Sequence, residues 1–302
     1  MSLSTIRVTV GRVFLVAGVL VLLFIPYLLW GTGLITARAQ AELRQQFAAA
    51  QRLHHERTDL HPATPAPGPP VVAPNTFPPS PGSPIGVISI PKISLSMVVV
   101  EGTDADQLRS GPGHYPGTPL PGEAGNAAIA GHRTTYLHPF YNLDQLVPGD
   151  PIDIVTVQGL FEYHVVSSQS VDPSDVGVVA PTPTPTLTLT TCTPRYSASQ
   201  RLVVQATLVA DVLSGTKAPV PPVTTHERKP RVPAPPPPIQ KNWWAAIGWG
   251  LVVVALVVGL WALALRLHRG RRLAVVVGGV VVWLGAVYLF FGALAPLLPA
   301  SY

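Results

Sequence analysis

Thr186-Leu187-Thr188-Leu189-Thr190-Thr191-Cys192 is the stretch on which the reading of this chain turns. Its residues alternate, so an extended backbone puts Leu187 and Leu189 on one face and Thr188, Thr190 and Cys192 on the other. Arg201 opens a second alternating run. There Leu202, Val204, Ala206 and Leu208 point one way while Arg201, Val203, Gln205 and Thr207 point the other. The connection from Thr193 to Gln200, with Pro194 in it, is that of a hairpin with a long loop. A thiol at the end of one strand and a guanidinium at the start of the next then share one polar groove. Cys192 is the only cysteine in 302 residues. It has no intrachain partner, so it is spare, buried or reactive, and its neighbours favour reactive.

Working outward, the middle of the chain reads mostly as strand. Further alternating or apolar runs lie at Gly86–Ile90, Leu95–Val100, Ala127–Ala130, Ile152–Val157 and Phe161–Ser168. Turn signals separate them at Pro91-Lys92, Gly111-Pro112-Gly113, Pro121-Gly122 and Pro148-Gly149-Asp150. Short helices fit Asp104–Arg109 and Tyr141–Leu146. Many short strands with little helix make the fold mainly β, a closed barrel or a sandwich. The Pro-Thr pairs over Pro181–Thr186 are expected to form a stiff loop flanking the groove.

Three apolar stretches are long enough to cross a bilayer: Val13 to Trp30, Trp243 to Leu265, and Leu273 to Leu298. Trp30, Trp243, Trp244 and Trp261 lie near their ends, as indoles at headgroup level do. The first has a longer apolar core than a signal peptide and no immediate small-x-small site, so it reads as an uncleaved anchor. The turn Arg266-Leu267-His268-Arg269-Gly270-Arg271-Arg272 holds four arginines in seven residues and is expected to be cytoplasmic. That puts the N-terminus inside and the middle domain outside. Residues 36–58 read as a polar helix with Leu43, Phe47 and Leu53 on one side. Pro62–Pro84 and Ser214–Gln240 read as semi-rigid spacers.

The net charge of +5 is unevenly spread. Residues 1–60 carry six arginines against three acids, and residues 216–302 carry nine basic residues against Glu227. The segment between them has eleven acids and five basic residues. The globular part is therefore acidic, with no basic patch for nucleic acid.

A nucleophilic thiol needs a proton partner and a group to hold the oxyanion. Arg201 is suited to the second task. The best proton partner is His132, which directly follows the short apolar strand Ala128-Ile129-Ala130-Gly131 and would sit at a barrel rim. Taken together, Gly111-Pro112-Gly113-His114-Tyr115, Gly131-His132-Arg133-Thr134-Thr135-Tyr136, Thr188-Leu189-Thr190-Thr191-Cys192-Thr193-Pro194-Arg195-Tyr196 and Arg201 resemble the sortase family. Within that family the chain is most similar to class E, over residues 85–212.

The resemblance implies a closed eight-stranded β-barrel with short helices, to which the chain adds three transmembrane helices. It implies a cysteine transpeptidase on the outer face of a Gram-positive cell membrane. Cys192 would attack the Thr–Gly carbonyl of an LPXTG or LAXTG sorting signal on a surface protein and form a thioester. An amine of a peptidoglycan precursor or a pilin would release it. His132 would act as general acid and base, and Arg201 would hold the substrate carbonyl and oxyanion. Thr188, Thr190, Thr191, Tyr136 and Tyr196 are the candidates for the substrate groove. No cofactor and no metal are expected, and the partners besides substrates are membrane lipids. The expected divisions are a cytoplasmic tip and anchor (1–35), a helical stalk and Pro-rich spacer (36–84), the sortase catalytic domain (85–212), a Pro-rich linker (213–241) and a two-helix membrane hairpin (242–302).

Other readings compete. Free cysteines are usually small buried hydrophobes, a reading against which the flanking motif and Arg201 weigh. Arg133 and Arg195 rival Arg201, and His114, His138 and His164 rival His132 but read as structural or exposed. Glu101, Asp104 and Asp106 read as solvated acids rather than a calcium site, and His54, His55 and His61 lack companion ligands. The C-terminal hairpin departs from the class E pattern, and Asn75-Thr76-Phe77-Pro78-Pro79 shows no convincing lid of the pilus-building type. Cell-wall attachment is thus preferred to pilus polymerisation. An inactive sortase-like binding or scaffold module and a thiol protease remain the alternatives.

Overall fold

The seam of the structure is the hairpin that carries Cys192 and Arg201. The computed structural model describes residues 11, 15, 18–60, 79–211, 243–266 and 269–295. In it β7 (Thr186–Thr193) and β8 (Gln200–Asp211) pair antiparallel from Thr186 opposite Thr207 to Thr193 opposite Gln200. Leu187, Leu189, Leu202, Val204 and Ala206 all face one core, as the alternation requires.

Six more strands close the sheet: β1 (Pro84–Ile90), β2 (Leu95–Glu101), β3 (Gly113–His114), β4 (Asn126–Ala130), β5 (Pro151–Thr156) and β6 (Leu160–Val171). The order around the barrel is β1-β2-β3-β4-β7-β8-β6-β5. Only β2–β3 and β4–β7 run parallel. Closure removes the sheet edges, and the outcome is the barrel rather than the sandwich. The strand β3 has no counterpart among the sequence-based expectations. Two residues carry no periodicity, and its place is set by tertiary contact: Gly113 passes so close to the carbonyl of Gly102 that a Cβ has no room.

Inward residues of seven strands build the core, to which the loop between β4 and β5 adds Phe140, Leu143 and Leu146. The helix expected at Tyr141–Leu146 is a single 3₁₀ turn, Leu143–Gln145, and that at Asp104–Arg109 is α2, Ala105–Ser110. The loop before β7 contains a 3₁₀ turn at Val176–Val179.

The described residues form two compact units. Residues 32–60 belong with the barrel, because α1 (Thr32–Leu60) lays Leu43 against Val98 and Val100 on the outside of the sheet. Leu43 and Phe47 are buried, whereas Leu53, expected on the same side, is 57% exposed. Ten residues of helix span about 15 Å, which carries Leu53 past the surface that covers Leu43.

The other unit holds the helical residues 18–26, a π-helical turn Tyr27–Gly31, and the helices α3 (Trp243–Arg266) and α4 (Arg269–Leu294). Tyr27, Val253, Val287 and Phe291 form its centre, with Phe24 and Phe291 ring to ring at 4.9 Å. The windows Trp243–Leu260 and Val277–Leu294 each have a mean hydropathy of 2.1, so both helices are long and apolar enough to cross a membrane. Two such helices, not three, are found among the described residues. The first expected span, Val13 to Trp30, lies partly outside the described residues, as do the spacers over 61–78 and 212–242.

Candidate active site

The parallel pairing of β4 with β7 brings the histidine segment to the cysteine. Ala130 lies opposite Thr190, Gly131 N–H donates to the Thr190 carbonyl at 3.0 Å, and Thr191 Oγ1 donates to the Gly131 carbonyl at 2.7 Å. Two residues beyond the last pair, His132 follows one strand and Cys192 is the penultimate residue of the other. Neighbouring strands run about 4.8 Å apart, so the two residues leave the sheet at neighbouring backbone positions. Gly131 is required here because a Cβ would come within 2.6 Å of the Phe140 ring.

Cys192 and Arg201 form a cross-strand pair, with Arg201 Nη1 3.4 Å from Sγ. His132 and Arg201 both line a small cleft that is partly open to solvent. Leu108, Tyr115, Ala130, Gly131, Thr190 and Thr191 complete it. Tyr115 and Thr190 hydroxyls share a hydrogen bond of 3.0 Å across it.

Burial dominates the electrostatics. Cys192 is 6% exposed and His132 7%. Burial pushes the Cys192 thiol up from its ordinary value, opposed by the guanidinium charges of Arg201 and Arg133. Burial, reinforced by the charge of Arg109, pulls His132 down to about 4. Both shifts favour neutral forms, so thiol and imidazole rest uncharged at neutral pH.

The three rival arginines have separate duties. Arg133 is buried; it donates from Nη1 to the Cys192 carbonyl at 3.2 Å and pairs through Nη2 with Asp144 at 3.0 Å. Arg195 donates to the same Asp144 at 3.0 Å, and its guanidinium lies over the Tyr141 ring at 4.5 Å. Arg201 is the one that points at sulfur.

Among the groove candidates, Thr190 and Thr191 line the cleft. Thr188 does not: it is fully buried and donates to Asn126 Oδ1 at 2.7 Å, under the turn whose Val178 and Ala180 carbonyls Asn126 also binds. Tyr136 lies beside the cleft with its ring 4.9 Å from that of His132. Tyr196 stands 71% exposed on the β7–β8 loop. The Pro-Thr stretch Pro181–Thr186 enters β7 at the end opposite Cys192, and none of its residues lines the cleft.

Of the other histidines, His114 is buried between Glu101 Oε2 (2.7 Å) and the Pro119 carbonyl (2.9 Å). His164 pairs with Glu162 at 2.8 Å, and His138 faces Tyr141. Glu101 and Asp106 are engaged with His114 and Arg109, respectively. Sequence reasoning passed over Asp144 and Tyr115. Asp144 carries no local signal, while Tyr115 was in view as the last residue of the Gly111–Tyr115 motif.

A family model described as a sortase domain matches residues 88–209. A sortase named SrtE1 from Streptomyces coelicolor is 34% identical over 223 residues, 67% of this chain and 57% of that protein. Sortase D of Bacillus subtilis is 37% identical over 104 residues, 34% of this chain and 51% of that protein. The chain thus spans little more than half the length of these two curated relatives. The solved sortase E of Streptomyces avermitilis is 35% identical, with a TM-score of 0.41, over 46% of this chain and 97% of that one. Through the domain at residues 88–209, this chain belongs to the sortase family.

Proposed function

We propose that the barrel is a cysteine transpeptidase with Cys192 as nucleophile, His132 as general acid and base, and Arg201 as the group that holds the substrate carbonyl. The observation that carries this reading is the approach of Arg201 Nη1 to within 3.4 Å of Cys192 Sγ, beside a cleft that His132 also lines. A carbonyl oxygen seated near Arg201 has the sulfur next to its carbon. Cys192 gives its proton to His132, and Sγ bonds to the carbonyl carbon of the Thr–Gly bond in an LPXTG or LAXTG segment. Arg201 holds the oxyanion. The C–N bond then breaks, with the proton passing from His132 to the departing Gly amine. An incoming amine of a cell-wall precursor gives a proton to His132, attacks the thioester and restores the thiol.

Because thiol and imidazole rest neutral, the proton passes from Cys192 to His132 as Sγ attacks, with the Arg201 charge stabilising the anion that forms. The two apolar helices and the first apolar stretch hold the enzyme in the membrane, with the barrel outside and the arginine-rich turn inside.

The test is intact mass spectrometry of the full chain in detergent, mixed with a panel of sorting peptides with and without an added amine. A peptide thioester on Cys192 that the amine resolves supports transpeptidation. A thioester resolved only by water makes the protein a thiol protease, and peptide binding with no adduct makes it an inactive module. The Cys192→Ala variant must show no adduct, and turnover by that variant would refute the reading.

A further inference from the structure

The helix α1 carries a stripe of polar residues, Thr32, Thr36, Gln40 and Arg44, at intervals of four. Such a stripe normally faces water. Here Thr32 and Thr36 are wholly buried and Gln40 is 5% exposed, each hydrogen-bonded to the barrel. Thr36 Oγ1 donates to the Arg109 carbonyl at 2.7 Å. Gln40 donates to the Val98 and Ser110 carbonyls and accepts from Val98 N–H at 2.8 Å, filling the stretch of β2 that two-residue β3 leaves unpaired. Thr32 Oγ1 accepts from Tyr136 N–H at 3.1 Å.

That last bond lands on an unusual turn. Tyr136, Leu137 and His138 have φ of 53°, 60° and 37°, three successive non-glycine residues in the left-handed region. Each is sterically disfavoured, and a run of three persists only where surrounding contacts impose it. The contacts come from α1: Thr32 holds Tyr136, and Leu137 lies over Gly33, where an added Cβ would meet it at 3.2 Å. Tyr136 in turn lies against the His132 ring. One helix face thus grips both segments beside His132, the turn at 136–138 and the α2 residues Arg109 and Ser110.

We propose that Thr32 is a positioning residue for His132, acting through Tyr136, and that α1 is part of the catalytic apparatus rather than a stalk. The role as catalysis rests on the transpeptidase reading, whereas the effect on the imidazole does not. The titratable and charged groups that act on this imidazole or share its cleft are Arg109 of α2, Tyr115 before β4, Tyr136 and Arg201 of β8. The hydroxyls that α1 contributes do not titrate.

The experiment uses the full chain in detergent and measures carbethoxylation of His132 by diethyl pyrocarbonate, read by peptide mass spectrometry against pH. Thr32→Val removes the acceptor and keeps the shape. It is expected to raise His132 labelling severalfold at pH 8, where the imidazole is neutral in both proteins, move the midpoint upward from about 4 towards 6.5, and lower kcat/KM on a sorting peptide roughly tenfold. Thr32→Ser keeps the acceptor and restores all three. Gly33→Ala is the second variant. Alanine favours helix over glycine, so a merely structural α1 would be unharmed or steadier, whereas displacement of Leu137 is expected to raise His132 labelling as Thr32→Val does. Wild-type labelling profiles in both variants, with exchange protection of β4 and β7 intact, would overturn the proposal. If the wild type turns over no peptide, the transpeptidase reading fails while the labelling result still decides this one.

Discussion

Cys192 and Arg201 face each other across the β7–β8 ladder, with Nη1 3.4 Å from Sγ, while burial holds the thiol protonated. The guanidinium works against burial. Arg201→Ala is therefore expected to raise the Cys192 pKa further, since its charge is the largest influence pulling it down. Alkylation by iodoacetamide at pH 8 should slow, with its midpoint displaced to higher pH. Turnover should fall by about 10²–10³, as when an oxyanion donor is removed. An unshifted alkylation profile would mean that Arg201 does not act on the sulfur.

Asp144 joins Arg133, behind the cysteine, to Arg195 on the β7–β8 loop. Asp144→Asn leaves the buried Arg133 without its carboxylate. Because the Asp144 side chain is 40% exposed, the cost is at the low end for a broken pair, about 1–2 kcal/mol. The charge acting on Cys192 remains, so the thiol pKa should move little while the β7–β8 loop exchanges hydrogen faster. Mass spectrometry of exchange in peptides over 191–201 reads the loop, and the pH profile of iodoacetamide alkylation reads the thiol.

Gln40 satisfies three backbone groups at once. In Gln40→Leu, Val98 N–H and the Val98 and Ser110 carbonyls lose their partner in a buried setting. The expected loss is about 2–4 kcal/mol, taking 1–3 for each unsatisfied group and allowing partial repair. All six tryptophans lie outside the barrel, so fluorescence does not report on it. Exchange protection of β1 and β2 is the measurement, and protection equal to wild type would show the helix to be dispensable for the sheet.

The depressed pKa of His132 makes a statement about acid stability. Between about 6.5 and about 4 the unfolded chain binds a proton that the folded barrel refuses, so stability falls as pH is lowered through that window. Two and a half pKa units correspond to about 3 kcal/mol. His132→Asn removes this acid sensitivity, so the stability of the variant relative to wild type should rise on going from pH 7 to pH 4.5. Global exchange rates of β4 and β7 amides, compared at the two pH values after correction for intrinsic rates, check it. A pH-independent difference would place the imidazole in solvent.

Local pattern carried much of the architecture. The alternation of 186–192 and of 201–208 put the right residues inside, because a two-residue period is a property of the strand itself. Gly131-His132-Arg133 and Thr191-Cys192 were legible as neighbours of chemistry because each follows a short apolar run. The strand β3 was not, since two residues have no period. The polar face of α1 read as a stalk for the opposite reason: its pattern is genuine, but the face is satisfied by backbone groups of β2 and α2 that no helix-level argument includes.

Residue order and alternation were enough to establish a mainly β domain, a thiol and a guanidinium on paired strands, and apolar segments of membrane-spanning length, since each depends on neighbours within a few positions. Three-dimensional packing alone decided that Arg133 binds the Cys192 carbonyl, that Thr188 is sealed beneath Asn126, and that a helix starting at Thr32 grips the turn beside His132. Those outcomes depend on hydrogen bonds between residues 59 to 104 positions apart, and the partners of a buried polar group are known only once the chain has closed around it.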